Sequence, residues 1–534
     1  MPLLDLIIIV AYMSGILALG ILSTRRLKLT SLVYFLAGRS LGWGMIGAAL
    51  FASNISTIHL IGLAASGYNE GLVWGNFEWM ACPTLILLSL VFAPFYFRSR
   101  ISTLPEFLER RYSPACRSFL AFMGILAALF IHIGMSLYAG ATVFEQFFGI
   151  DVITSILFIS CVTAVYTVLG GLRAVVVTET VQTGILLLGA VLVTGFALLA
   201  LPEHGIHSLA QFRAAVKPDQ LSMLQSKSSV GLTWFAVFLG YPILGIHYWC
   251  TDQTIVQRVL GAKTQRDAQL GSLFAGFLKI LPVFIMVFPG VLGYVLFKDV
   301  IGSDSNSVLP VLIDQLVPSG LKGLISAGLL AALMSTIAAA LNSSATLVTV
   351  DIVKRMRPAI SDRRQVWIGR VTAVVVMLAA MGWSTQGGRF SSIFEAVATI
   401  AAYLSPPVAT VFLLGIFWRR GTKQAALLTL IIGFSIGAVA FLVDLPVIVQ
   451  EKIITQKWGI PFMLQAWWIF CICCVIYAIL SLLTPRPADK QIQGLTWDNP
   501  AAVLAQGKIK TISDPRALAG ILLLIIVILY VVFH

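Results

Sequence analysis

The chain has 534 residues, 58% hydrophobic and only 11% charged, with a formal net charge of +13. Soluble domains carry about 25% charged residues, so this chain has too little polar surface for a water-soluble fold, and bilayer is its natural solvent. The basic excess does not point to nucleic acid, because Lys and Arg sit in short clusters between apolar runs, as membrane topology signals do.

A spanning helix needs roughly 20 mostly apolar residues. On that criterion about 14 spans are predicted, near 3–23, 41–68, 77–97, 117–147, 151–170, 175–200, 232–256, 270–297, 321–350, 365–384, 391–418, 423–443, 461–484 and 516–533. The first is a retained helix and not a signal peptide: Asp5 stands where a basic region belongs, and Arg25-Arg26 follow as a stop-transfer flank. Every second loop is then basic, including Arg98, Arg100, Arg110 and Arg111 in one loop and Arg258, Lys263 and Arg266 in another. Between them, 69–76 has no basic residue and 298–320 has three Asp against one Lys. The positive-inside rule makes the basic side cytoplasmic and puts both termini outside. No loop exceeds roughly 35 residues, which leaves no room for a soluble catalytic domain. The longest are 201–231 outside and 485–515 inside.

Two spans carry polar interruptions. The second contains Ala52-Ser53-Asn54-Ile55-Ser56-Thr57-Ile58-His59, and the seventh contains Gly240-Tyr241-Pro242 followed by Gly245-Ile246-His247-Tyr248-Trp249. Interrupted helices at matching places in two halves point to an inverted-repeat transporter. Unwound backbone survives in a membrane only where it lines a cavity or binds an ion.

Ionisable groups at membrane depth cost about 2.5–3.5 kcal/mol each on insertion scales, so each needs a reason. They are His59, Glu78, His132, Glu145, Glu179, His247, Asp252, Lys279 and Glu395. His132 reads as an interhelical hydrogen-bonding group; Glu145 and Asp252 lie near span ends and read as wet. Lys279 is central in its span and needs a partner, with Glu78 as a candidate partner or co-ligand. Ala332, Ser335 and Thr336 stand at i, i+3 and i+4 and share a helical face. Two hydroxyls and a carbonyl can ligate Na⁺ without adding charge, although the same pattern also serves small-residue helix packing. The interruption at Ala52–Ile55 would supply the missing carbonyls. The seven cysteines lie mostly in apolar runs and form no disulfide framework.

Several motifs resemble the sodium/solute symporters, and in particular the sodium/glucose cotransporter branch. They are Tyr34-Phe35-Leu36-Ala37-Gly38-Arg39, Asn54-Ile55-Ser56, Phe77-Glu78-Trp79, Gly170-Gly171-Leu172-Arg173 with Thr178-Glu179-Thr180, Trp249-Cys250-Thr251-Asp252-Gln253, and Leu341-Asn342-Ser343. The resemblance implies an all-α polytopic membrane protein with a LeuT-like five-plus-five inverted repeat. The repeats would span 41–200 and 232–420, joined by an outer loop at 201–231. One helix precedes them within 1–40, and three follow within 421–534.

By the same resemblance, a sodium site falls at Ala52, Ile55, Ala332, Ser335 and Thr336. His59, Glu78 and Lys279 become sugar-binding groups, Tyr248 an aromatic floor with Trp249 beside it, and Glu179 an ion-coupling carboxylate. One departure is clear: where the sugar transporters carry a Gln, this chain has Ala398. The disulfide-bearing outer extensions of animal members are absent, which favours a bacterial inner-membrane protein. The expected activity is sodium-coupled symport of a neutral sugar or polyol across the lipid bilayer, not enzymatic chemistry. An acidic solute, or a sensor that binds without transport, is the alternative.

Overall fold

The computed structural model describes residues 2–228, 231–386, 393–444, 452–497, 509 and 511–534, with all their side chains except those of 146–148 and 393–396. Glu395 and part of the 485–515 loop therefore lie outside the described side chains. Regular structure among the described residues is helical; strand pairing is limited to the isolated bridges Leu41–Ala262 and Gln225–Thr233.

The helices that position the site are α1 (Leu3–Leu22), α2 (Trp43–Asn54), α3 (Thr57–Glu70), α4 (Pro114–Ala127), α5 (Val152–Leu199), α6 (Trp234–Gly245), α7 (Gln253–Leu260), α8 (Gln265–Leu278), α9 (Leu321–Thr346) and α10 (Ile393–Phe417). Lys423–Val443, Phe462–Leu483 and Pro515–Val532 follow. Among the described residues, eleven helical runs are long and apolar enough to cross a membrane. This differs from the expected count of about 14 because helical structure joins or splits some predicted spans. α5 runs through the turn predicted between its halves, bending only at Gly171, whose φ of 62° and ψ of −156° suit glycine alone. A Cβ there would also overlap the Tyr34 carbonyl. The second span is broken after Asn54, and its second piece continues into the third span within the run Thr57–Ser99, while the seventh is broken at Asp252.

α9 is the axis of the fold. Of the most apolar stretch of its run, Leu321–Met356, 94% is buried, against 28% for α1 and 22% for Pro515–Val532, whose outer faces are left for lipid. Its alanines and serines let α5 and α2 approach closely, the packing mode of membrane helices.

Both interruptions exist, but only one lies where expected. α2 ends at Asn54, and Ile55 and Ser56 are extended before α3 begins. The second break lies at Asp252, which is extended (φ −81°, ψ 125°) after the wide π turn Ile246–Thr251. Gly240 and Pro242 are inside α6 instead. Gly240 serves a close crossing there, since a Cβ would overlap the Met463 carbonyl.

Two arginines counted as loop cations are buried. Arg111 donates to the carbonyls of Gly415 (2.9 Å), Trp418 (3.0 Å) and Gly421 (3.0 Å), satisfying the orphan carbonyls that end α10. Arg258 is buried against Glu179.

Candidate ion and solute site

The break in α2 leaves carbonyls without their helical donors, and α9 supplies replacements. Ser335 Oγ lies 2.7 Å from the Ala52 carbonyl and 2.9 Å from that of Ala332. Thr336 Oγ1 lies 3.2 Å from the carbonyls of Ser53 and Ala332. Each hydroxyl has one proton, so each serves its two carbonyls by sharing and keeps lone pairs for a cation. Ala52, Ala332, Ser335 and Thr336 thus converge as the i, i+3, i+4 spacing predicts. Ile55 lies in the extended link, and the described residues make no hydrogen bond to its carbonyl.

Beside this cradle is a cavity of about 170 Å³ lined by His59, Glu78, Tyr248 and Trp249 among the expected residues, together with Asn54 and Thr336. That is small beside the roughly 300–1,000 Å³ of pockets for drug-sized ligands and suits one ring. His59 Nδ1 accepts from the Ser56 amide at 3.4 Å in a capping box, so a neutral His59 carries its proton on Nε2 and can donate. Tyr248 meets Trp249 edge to face at 5.1 Å between centroids, an arrangement that fixes both rings. Ala398 lines the apolar wall with Val397 and Ala401. A larger concavity of about 1,120 Å³ lies at the 198–222 segment and contains none of the expected site residues.

Lys279 is not in the cavity lining. Its ammonium is buried behind Glu78, bonded to Oε2, with the Trp249 and Phe51 ring centroids at 5.5 and 5.9 Å. The partner is the expected one, but the lysine presents no charge to a solute. Glu179 is equally buried. Arg258 grips both its oxygens, through Nε to Oε2 at 3.0 Å and Nη2 to Oε1, and Ser53 donates to Oε1 at 2.9 Å. Hydropathy alone misses this pair, because α7 is short and reads as loop. The available signal was Glu179 itself, a carboxylate at membrane depth that requires a cation. Asn54 at the break also went unassigned, and its amide oxygen is buried with no hydrogen-bond partner.

Broken membrane helices that enclose a polar cavity beside an oxygen cradle define a secondary transporter. The chain belongs to the sodium:solute symporter family, whose model matches residues 34–433. It is similar to sodium/myo-inositol cotransporter 2 of Oryctolagus cuniculus (33% identity over 92% of this chain and 78% of the relative). It is also similar to sodium/glucose cotransporter 1 of the same species (31%, 92% and 81%) and to sodium/mannose cotransporter SLC5A10 of Bos taurus (34%, 96% and 92%). Among solved structures it shares the fold of a substrate-bound, outward-open Na⁺-coupled sialic acid symporter, with a TM-score of 0.78 at 20% identity over 91% of this chain and 99% of that one. It also resembles Mhp1 in a closed conformation, with a TM-score of 0.54 at 15% identity over 86% and 97%. These are transporters and not enzymes, and sodium is the co-transported ion.

Proposed function

We propose that this protein carries an uncharged polyhydroxy solute, a hexose or a cyclitol, into the cell with Na⁺. The observation that carries this reading is that Thr336 belongs to both sites: it holds the broken end of α2 and lines the solute cavity. An ion drawing Ser335 and Thr336 onto the Ala52 and Ile55 carbonyls would set the α2–α3 link, and with it the wall that carries Asn54 and His59. Differential affinity of Na⁺ for the two orientations of that link is what coupling requires. Each Na⁺ entering down 100 mV contributes about 2.3 kcal/mol.

The charge of the cavity favours a neutral solute. Lys279 is neutralised by Glu78, so an entering carboxylate would face Glu78 and Asp252 without a presented cation. An aromatic face at Tyr248 suits the C–H side of a sugar or cyclitol ring, and His59 and Glu78 offer a donor and an acceptor to its hydroxyls. The relatives named for glucose, mannose and myo-inositol support this solute class.

The test is uptake into proteoliposomes. Under an inward Na⁺ gradient, labelled neutral hexoses and cyclitols should accumulate, K⁺ should not substitute, and an acidic sugar should not enter. Ser335→Ala with Thr336→Ala should remove the dependence on Na⁺. Uptake that stays fully sodium-dependent in that variant sinks the ion site. Accumulation of only the acidic sugar, or binding without accumulation, sinks the solute assignment or the transport reading respectively. We also place both termini on the outer face, a proposal that cysteine labelling from either side of intact cells would check.

A further inference from the structure

A second polar cluster, His132, His247 and Asp252, lines the same cavity, and no solute contact has been assigned to it. His132 projects from the π turn Ala128–Met135 that continues α4, His247 from the turn before the second break, and Asp252 forms the break itself. From the sequence, His132 was expected to be an interhelical hydrogen-bonding group and Asp252 to be wet. His247 and Asp252 also line a smaller neighbouring cavity of about 50 Å³, to which Leu104 and Gln253 contribute. No group of three His, Cys, Asp or Glu side chains among the described residues could hold a metal ion, so this is not a metal centre.

The hydrogen bonds fix what the cluster offers. Thr251 gives its hydroxyl proton to the His247 carbonyl at 2.9 Å, so its oxygen accepts from His247 Nδ1 at 3.2 Å. A neutral His247 therefore presents Nε2 as an acceptor. Asp252 Oδ1 is occupied by the Thr254 amide at 2.7 Å, the cap of α7. Its Oδ2 faces His132 Nε2 at 3.5 Å, beyond the roughly 2.7–2.9 Å of a formed charge-assisted bond. Two atoms at that spacing can both contact one inserted oxygen. A hydroxyl fits, because it can accept from His132 and donate to Asp252 at once. A carboxylate does not, because it has no proton for Asp252 or for His247 Nε2. The His132 ring also lies 6.4 Å from that of Tyr248, so a solute packed on the tyrosine is within reach.

We propose that His132, His247 and Asp252 form a second solute subsite that takes two hydroxyls of a ring edge other than the one held at His59 and Glu78. This rests on the neutral-solute symport reading and narrows it. The preferred solute is a six-membered ring hydroxylated on both edges, and the subsite supplies the polar contact that the wall at Ala398 cannot. It selects against acids and against rings lacking the two hydroxyls.

The experiment uses the full chain in proteoliposomes under an inward Na⁺ gradient, with labelled hexoses and cyclitols and their singly deoxygenated analogues. Asp252→Asn keeps an oxygen to cap α7 but loses the carboxylate; His132→Gln changes the cluster from another helix. Both should raise the half-saturation concentration of the best parent solute at least tenfold. Neither should change that of the analogue lacking the hydroxyl read here, and the Na⁺ half-saturation should stay put. Equal losses for the parent and every analogue in whichever variant is monodisperse, a fall in maximal rate alone, or no effect would each overturn the subsite while wild-type uptake leaves the symport reading intact. Absence of neutral-solute uptake by the wild type would overturn both.

Discussion

Glu179 and Glu78 are both buried glutamates with a buried cation beside them, yet Arg258 takes both oxygens of Glu179 whereas Lys279 takes one oxygen of Glu78. The chemistry of the cations explains the difference. The planar fork of arginine matches a carboxylate in two places, while lysine is a compact point charge on a flexible stem. With Ser53 sharing its one proton between the Ala49 carbonyl and Glu179, the first pair ties α5, α7 and the end of α2 together and leaves neither oxygen of Glu179 without a partner. The second pair leaves Glu78 Oε1 without a hydrogen-bond partner among the described residues, at the wall of the cavity. One pair is a fastening next to the proposed ion cradle, and the other is a neutralised carboxylate with an oxygen left for the proposed solute.

The comparison breaks most directly at the fastening. Glu179→Ala leaves Arg258 charged and buried, a loss of about 3–5 kcal/mol for a broken buried pair. The purified protein should melt well below the wild type. Replacing both residues with hydrophobic ones of similar volume should restore much of the melting temperature, since such swaps are often neutral. A single variant that melts like the wild type would mean the pair is not buried as described.

Next in size is Lys279→Met, which exposes the unpaired Glu78 carboxylate to the same penalty but beside a cavity. Its melting temperature should fall less than that of Glu179→Ala, because the cavity lets water reach the carboxylate. Solute affinity should fall as well, whereas Glu179→Ala should act mainly on stability and Na⁺ dependence. Glu78→Gln separates the two functions further. Losing a hydrogen bond to a charged group costs about 1.5–3 kcal/mol, so the half-saturation concentration for solute should rise tenfold or more. A rise in the Na⁺ half-saturation of the same size would instead place Glu78 with the ion.

What could be read in advance follows from the same physics. The convergence of oxygens proposed here as an ion cradle was legible because helical spacing alone puts Ala332, Ser335 and Thr336 on one face, and because the polar run at Ala52–His59 cannot stay helical in lipid without a reason. Lys279 announced its need for Glu78 in the same way. Arg258 was not legible, because hydropathy sees a basic residue after a span and assigns it to a loop, while its burial depends on where α7 folds back. The second break was misplaced for a related reason. Glycine and proline mark places where a helix can break, but Gly240 serves close packing inside α6, Pro242 lies within the same helix, and the break follows the capping aspartate at Asp252. Hydrogen-bond partners decided the outcome there, and those are tertiary.

The smallest expected effect concerns the apolar wall. Ala398 is buried and lines the cavity with no polar side-chain atom to offer, while Glu78 in the same lining has an oxygen to spare. Ala398→Gln would add an amide but would also fill a cavity of only about 170 Å³, and overpacking costs about 1–3 kcal/mol. Ala398→Ser adds one hydroxyl with little volume, and a single neutral hydrogen bond is worth about 0.5–1.5 kcal/mol. The ratio of half-saturation concentrations for two solutes differing in one hydroxyl should therefore shift roughly two- to tenfold, with melting temperature and Na⁺ dependence unchanged. A shifted ratio would show that the solute touches this wall, so that recognition is spread around the ring. An unchanged ratio would confine recognition to the polar groups on the other walls of the cavity, with α10 serving only to close it.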